Sequence, residues 1–320
     1  MAKHPATPGG WHREGWPSLI ASWLRSPAAR SLLVLLPIVA GFALFQVGKG
    51  NNPLLLANLD SFNAWSVWVG CTFAIWIALG VRSLSLVGTV RALFPTAVPA
   101  IPQPVMFALA AVYAVAIGSI LVAACGSLTN PYYGPLEAHF DARVKVVVFV
   151  GVIATVPSVV ALWLIAEALQ WTQDLLQINT SDSAGQRFDE LRTLWGCSMA
   201  TLGALSLALS AAVVVVAGLS KFLGFQSQDV VLIGALLAAV FVAVYIPTFL
   251  AWRSRARQLV DAVYPTPQTG KPDEGWIEGR ARMMQLIGLD VGLPTRLSNA
   301  VVALAPFEVA VLTWWLAHKP

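Results

Sequence analysis

The sequence predicts an all-α, polytopic integral membrane bundle with its N-terminus in the cytoplasm. Three observations carry this reading. Of 320 residues, 57% are hydrophobic and only 11% charged, with a mean hydropathy of +0.71; a soluble domain carries about 25% charged residues. The charges cluster, leaving charge-free runs at 31–48, 61–81, 92–136, 146–166, 193–220 and 230–252, and about 20 apolar residues are enough for a helix to cross the hydrocarbon core. The runs are continuous rather than alternating, which excludes a closed β-barrel. A seventh apolar stretch, about 297–317, is interrupted only by Glu308. Six spans follow, and a seventh stretch that either crosses or lies in the interface. The chain divides into a cytoplasmic tail at 1–30, a six-span bundle at 31–252, a basic and amphipathic cytoplasmic segment at 253–296, and the final stretch at 297–320.

Residues 1–14 read as a polar tail. Trp16, Leu19, Ile20, Trp23 and Leu24 then recur at helical spacing on one face, as in a helix lying in the membrane interface; Pro17 suits its start. Span 1, about 31–48, contains Pro37. It lacks a small-residue cleavage site at its end, so it is expected to stay uncleaved. Span 2, about 62–82, places Trp65, Trp68, Thr72 and Trp76 on one face, expected to be lipid-facing bulk. Pro95, Pro99, Pro102 and Pro104 argue for an extended loop over 83–104. Their density also limits the long run at 92–136 to a single span, about 105–125. Span 4, about 145–167, contains Pro157, and its helix is expected to continue through Trp171. Ser181, Asp182 and Ser183 read as a turn and helix cap leading into span 5, about 194–219. Span 6, about 229–252, is closed by Arg253, Arg255 and Arg257. Beyond it, Pro265, Pro267, Gly270 and Pro272 break the chain. Trp276, Ile277, Ala281, Met284 and Gly288 then share one face of a small amphipathic helix.

The orientation follows from the distribution of Lys and Arg. With the N-terminus inside, fifteen lie in inside segments and five in outside ones, as the excess of cytoplasmic positive charge requires. This excess also explains the net charge of +4 without a nucleic-acid partner. Trp23, Trp163, Trp171, Trp195 and Trp252 fall near the inner boundary, and Trp65, Trp68, Trp314 and Trp315 near the outer one, where interfacial tryptophan belongs. An Ala- and Arg-rich composition points to a bacterial inner membrane.

No catalytic constellation is present. There is no GxSxG, HExxH, phosphate-binding Gly-rich loop or dinucleotide fingerprint, and no histidine lies in a span to hold haem. Cys71, Cys125 and Cys197 sit among apolar neighbours, so neither a disulfide framework nor a zinc site is expected. Glu137, His139 and Asp141 alternate and would share a face of a strand, but match no metal-binding spacing; a solvated loop is the expectation. Asn179-Thr180-Ser181 matches a glycosylation sequon on the cytoplasmic side, where it has no meaning. The chain is therefore expected to be neither an enzyme nor a holder of a metal or cofactor.

Four features remain. Glu308 is a carboxylate in an apolar stretch, two residues after Pro306, and is the candidate ion or proton site; the alternative is an interfacial helix that turns Glu308 to water. Pro37, Pro157 and Pro306 are candidate helix breaks, of the kind used by transporters. Gly196, Ala200, Ala204, Ala208 and Ala212 recur every fourth residue, which permits close helix packing, within the bundle or in a homo-oligomer. Arg253, Arg255 and Arg257 are candidates for anchoring to anionic lipid. Two functions compete: a non-enzymatic scaffold or assembly component whose protein partner docks on 253–296, and a small-solute transporter or channel using Glu308.

Overall fold

The computed structural model describes residues 27–46, 59–93, 105, 108–119, 138–171, 181–223, 227–267, 272–289 and 304–312. The N-terminal tail and interfacial helix, the loop prolines at 95–104, Cys125, Glu137, and Trp314 and Trp315 lie outside the described residues; Ser181, Asp182 and Ser183, expected as a turn and cap, are helical residues of α5. Those described form helices, with no strand among them: α1 Pro27–Gln46, α2 Leu59–Leu93, α3 Ala108–Ser119, α4 Ala138–Trp171, α5 Ser181–Leu223, α6 Ser227–Val263, α7 Glu274–Ile287 and α8 at 304–312. Among the described residues, four helices are long and apolar enough to cross a membrane, within α2, α4, α5 and α6; α1 and α3 contain shorter apolar helices, Leu35–Gln46 and Ala108–Ser119. This is the architecture of a multi-pass helical membrane protein.

Two sequence expectations are corrected here. The extended loop does not begin at 83: α2 runs on to Leu93. Val87 and Val90 extend its buried face, and no proline intervenes before Pro95. His139 and Asp141, expected in a solvated loop, lie instead in helix α4. At about 100° per residue, positions two apart point to different sides of a helix.

Helix α4 and helix α5 pack together at the centre, with α2 against both on one side and α6 against both on the other; α1 covers α2, and α7 lies against α6. Close contacts fix the directions. Gly41 meets Gly70 and Gln46 bonds Asn63, so α1 runs against α2. Trp65 reaches the Val215 carbonyl and Trp76 the Ala208 carbonyl, so α5 also runs against α2. Trp76 packs on Gly151 and Ser83 bonds Ser158, so α2 and α4 are parallel. Thr248 bonds the Leu162 carbonyl and Arg255 the Leu169 carbonyl, so α4 and α6 are parallel. Gly118 lies on Phe149 and Val152, while Ala110 packs with Val160, Ala161 and Leu164; α3 thus runs against α4. Odd-numbered helices α1, α3 and α5 point one way; α2, α4 and α6 point the other.

Two cores fill the bundle. One joins α4, α5 and α6 around Leu162, Leu205, Val213, Ile233 and Phe241, with Ala114 and Ala310 added from α3 and α8. The second joins α1, α2 and α5 around Phe45, Phe62, Trp65, Phe73 and Trp76. The Trp stripe therefore faces inward, not to lipid: Trp65, Thr72 and Trp76 are buried, and only Trp68 is exposed. An indole can be buried where its N–H finds an acceptor. Carbonyls of α5 supply one for Trp65 at 3.0 Å and one for Trp76 at 2.9 Å.

Candidate functional site

The contacts above also align the ends of the helices. Trp195 of α5 stacks on Trp252 of α6 with ring centroids 4.0 Å apart. Just beyond this stack the charges begin on three helices at one level: Glu167 on α4, Arg192 on α5 and Arg253 on α6. A cluster of Ile165, Leu169, Leu191, Leu194, Trp252, Ala256 and Leu259 continues the core past this plane. From Trp252, α6 runs another 11 residues to Val263, about 16 Å of further helix. The helices thus project from the apolar slab as one packed, charged end.

Helix α7 is fixed to the tip of that projection. Asp273 caps its N-terminus, its carboxylate accepting from the Trp276 N–H at 2.8 Å. Gly288 closes it in the left-handed conformation, φ 83°, and donates to the Gln285 carbonyl; a residue with a Cβ pays more for that conformation. Between the caps, the Arg280 guanidinium makes an ion pair with Asp261 at 2.6 Å, donates to the Tyr264 carbonyl at 3.1 Å, and lies 5.3 Å over the Trp276 ring. The Trp276 indole donates to the Pro265 carbonyl at 3.0 Å. Gly279 admits the Tyr264 ring, which a Cβ there would meet at 2.7 Å. Residue 276 pairs with 265 and residue 280 with 261, so α7 returns antiparallel to α6 and its last turn, with Met283 and Ile287, reaches the cluster below Trp252. Ile277 and Leu286 remain exposed, and no residue of α7 is buried.

Arg255 departs from the expected lipid-anchoring role. It is 7% exposed, its Nε donates to the Leu169 carbonyl at the end of α4, and its Nη1 donates to Gln258 at 2.5 Å. Arg253 and Arg257 lie on the exposed side of α6. The reason is periodicity: positions two apart cannot share a helix face, so three alternating arginines cannot all reach lipid.

The small-residue stripe of α5 also divides. Ala204 and Ala208 are buried against neighbouring helices, and Ala200 and Ala212 are half-buried. Gly196 is exposed, and a Cβ there would meet nothing within 4 Å. The 204–212 part of the stripe serves packing inside the chain.

The prolines do not break their helices. α1 continues through Pro37 and α4 through Pro157. Pro306 lies within the helical residues 304–312 of α8. Pro306 and Ala310 face Gly234 of α6: a Cβ on Gly234 would lie 3.0 Å from the Pro306 carbonyl and closer still to the Ala310 methyl. Glu308, two residues from each, is on the opposite side of α8 and exposed. Among the described residues, no group of three or more His, Cys, Asp or Glu could hold a metal ion, and Cys71 and Cys197 are free thiols.

Sequence reasoning found α7 but missed its Asp273 cap and the Asp261–Tyr264–Arg280 clasp. Asp273 three residues before Trp276 was a readable capping signal. The ion pair joins residues 19 apart across a proline turn, and nothing in local spacing announces it. Comparison of the chain with protein-family models, with curated proteins and with solved structures finds no match.

Proposed function

We propose that the protein is a non-enzymatic membrane scaffold whose charged end presents α7 to a cytoplasmic protein partner. One observation carries this reading: α7 is held by two caps, an ion pair, a cation–π contact and an indole hydrogen bond, yet none of its residues is buried. A helix that serves only to complete a core buries its apolar face. This one half-buries Met283 and Ile287 against the bundle and leaves Ile277, Ala281 and Leu286 exposed. Site-specific photo-crosslinking in native membranes tests the reading. A benzoylphenylalanine at Ile277 is expected to give discrete protein adducts, whereas one at Leu207, exposed in the apolar part of α5, gives lipid alone. Lipid alone from both positions would sink the scaffold.

The same reading takes α1, α3 and α8 as completing seven crossings, with the N-terminus in the cytoplasm of a bacterial cell. The alternating directions of α1 to α6 support six. For the seventh, the support is that α7 ends near Trp252, whereas α8 packs beside Gly234. Those levels are about 27 Å apart along α6, nearly the thickness of the hydrocarbon core. Lys319 then lies outside. A single cysteine at Lys319, with the three native cysteines replaced, is expected to react with a membrane-impermeant thiol reagent in intact cells. Labelling only after lysis would mean that the final stretch does not cross.

The transporter reading needed Glu308 to face an internal cavity. Exposure on the side of α8 away from α6 gives it no support.

A further inference from the structure

The level at which the charges begin on α4, α5 and α6 leaves Arg82 of α2 in an unexpected place. Ser83 bonds Ser158 at 2.8 Å, and Thr248 bonds the Leu162 carbonyl at 3.1 Å. Both are short side chains, so they tie residues of equal depth. Ser83 is level with Ser158, four residues before Leu162, and therefore with position 244 of α6. Arg82 sits about nine residues on the membrane side of Trp252, roughly 13 Å along the helix. The sequence had put Arg82 at the inner end of span 2; the packing of α2 against α4 puts it well inside the slab that α4 and α6 define.

Arg82 is exposed, and so are Ser85, Gly88 and Thr89. Their spacing of three, three and one places them along one side of α2. A Cβ on Gly88 would meet nothing within 4 Å. The Ser85 hydroxyl donates to the Arg82 carbonyl and the Thr89 hydroxyl to the Ser85 carbonyl, at 2.7 and 3.1 Å. Their donors are thereby used, and their oxygens still offer lone pairs to water. No hydrogen bond or ion pair holds the Arg82 guanidinium among the described residues. Nor can a described neighbour supply a carboxylate: α1 and α3 contain no Asp or Glu, α2 has only Asp60 at its far end, and Glu167 lies level with Arg253. A charge at this depth persists when it is hydrated or paired, and a pairing anion would have to come from outside the described helices. The anion abundant at the adjacent boundary is the phosphate of a phospholipid.

We propose that the side of α2 carrying Arg82, Ser85, Gly88 and Thr89 is a hydrated polar furrow that draws a phospholipid headgroup phosphate into the membrane section of the bundle. This is separate from the α7 surface and does not depend on the scaffold reading. Two measurements on the full chain test it. In a cysteine-free background reconstituted in phosphatidylglycerol-containing nanodiscs, single cysteines replace Ser85 and, as control, Ile246. Ile246 is exposed at the same depth on α6. A charged, water-soluble maleimide is expected to react about tenfold faster with the cysteine at 85, because only a hydrated face admits it. Equal, slow reaction at both positions would overturn the furrow. Native mass spectrometry then compares the otherwise wild-type chain with Arg82→Gln, titrated with phosphatidylglycerol or with inorganic phosphate. Several-fold fewer lipid adducts on Arg82→Gln, with no phosphate adducts on either protein, are expected. Unchanged lipid adducts, or adducts with inorganic phosphate alone, would overturn the headgroup assignment. Correct folding of the variants is read from retention of a monodisperse elution profile.

Discussion

Replacing Gly70 by valine is expected to drive α1 off the bundle. A Cβ on Gly70 would lie 3.0 Å from both the carbonyl carbon and the Cα of Ile38, and closer still to the Ile38 carbonyl oxygen. Those are backbone atoms, which cannot move aside as a side chain can. The opposing residue is also glycine: a Cβ on Gly41 would lie 2.6 Å from the Gly70 Cα. Two helices that touch through paired glycines gain their attraction from close backbone approach. Overpacking a tight contact costs about 1–3 kcal/mol and more where backbone must shift. The check is a short bis-maleimide bridging cysteines placed at Gln46 and Asn63, whose side chains are 2.7 Å apart, in a background without the native cysteines. Gly70→Val should abolish the cross-link. Gly88→Val, where a Cβ meets nothing within 4 Å, should leave it intact and so controls for helix propensity. An undiminished cross-link in Gly70→Val would refute the crossing.

Truncating Trp76 to alanine is expected to be the most damaging single change in the aromatic core. Its side chain is 2% exposed, stacks on Phe73 at 5.7 Å, and fills the groove that Gly151 leaves open on α4. It joins three helices, because its indole also donates to the Ala208 carbonyl of α5. Loss of a buried Trp side chain typically costs about 3–5 kcal/mol, chiefly for the cavity left behind. Trp76→Phe separates the two contributions. It keeps most of the volume and removes the N–H, while the Ala208 carbonyl retains its place in the helical hydrogen-bond ladder. About 1 kcal/mol is expected for that bond. Thermal unfolding in one detergent should therefore rank wild type first, Trp76→Phe slightly below it, and Trp76→Ala far below. Equal losses for the two variants would mean that the hydrogen bond, rather than the packed volume, holds α2 to α5.

How far the sequence could be read depends on which signals are local. The uncharged runs located the apolar lengths of α1, α2, α4, α5 and α6, because removing charge is a requirement of the hydrocarbon layer that each segment must meet alone. The turn prolines and the Trp276–Gly288 periodicity likewise located α7. The inward orientation of Trp65 and Trp76 was not legible, because in a membrane both the lipid and the core are apolar and hydrophobicity no longer marks a direction. The alanine stripe of α5 was legible as a packing face. Its division into a buried part at Ala204 and Ala208 and an exposed Gly196 depends on which neighbours each turn of α5 meets. Arg255 looked like its neighbours Arg253 and Arg257 until the Leu169 carbonyl was placed beside it.

Composition and periodicity therefore dictate the helical membrane class and the approximate limits of the helices, since backbone hydrogen bonds within a bilayer must be satisfied inside each segment. The depth of each helix relative to its neighbours is a different matter. It is set by contacts such as Ser83 with Ser158, Thr248 with Leu162 and Gly41 with Gly70, between residues far apart in the chain. Sliding one helix along another leaves every local pattern unchanged while moving a charge such as Arg82 from the boundary into the slab. The same holds for Asp261 and Arg280, which meet only because the turn at Pro265 folds α7 back along α6. Which charges are paired and which are left open is a property of helix register, and register exists only once the helices are packed.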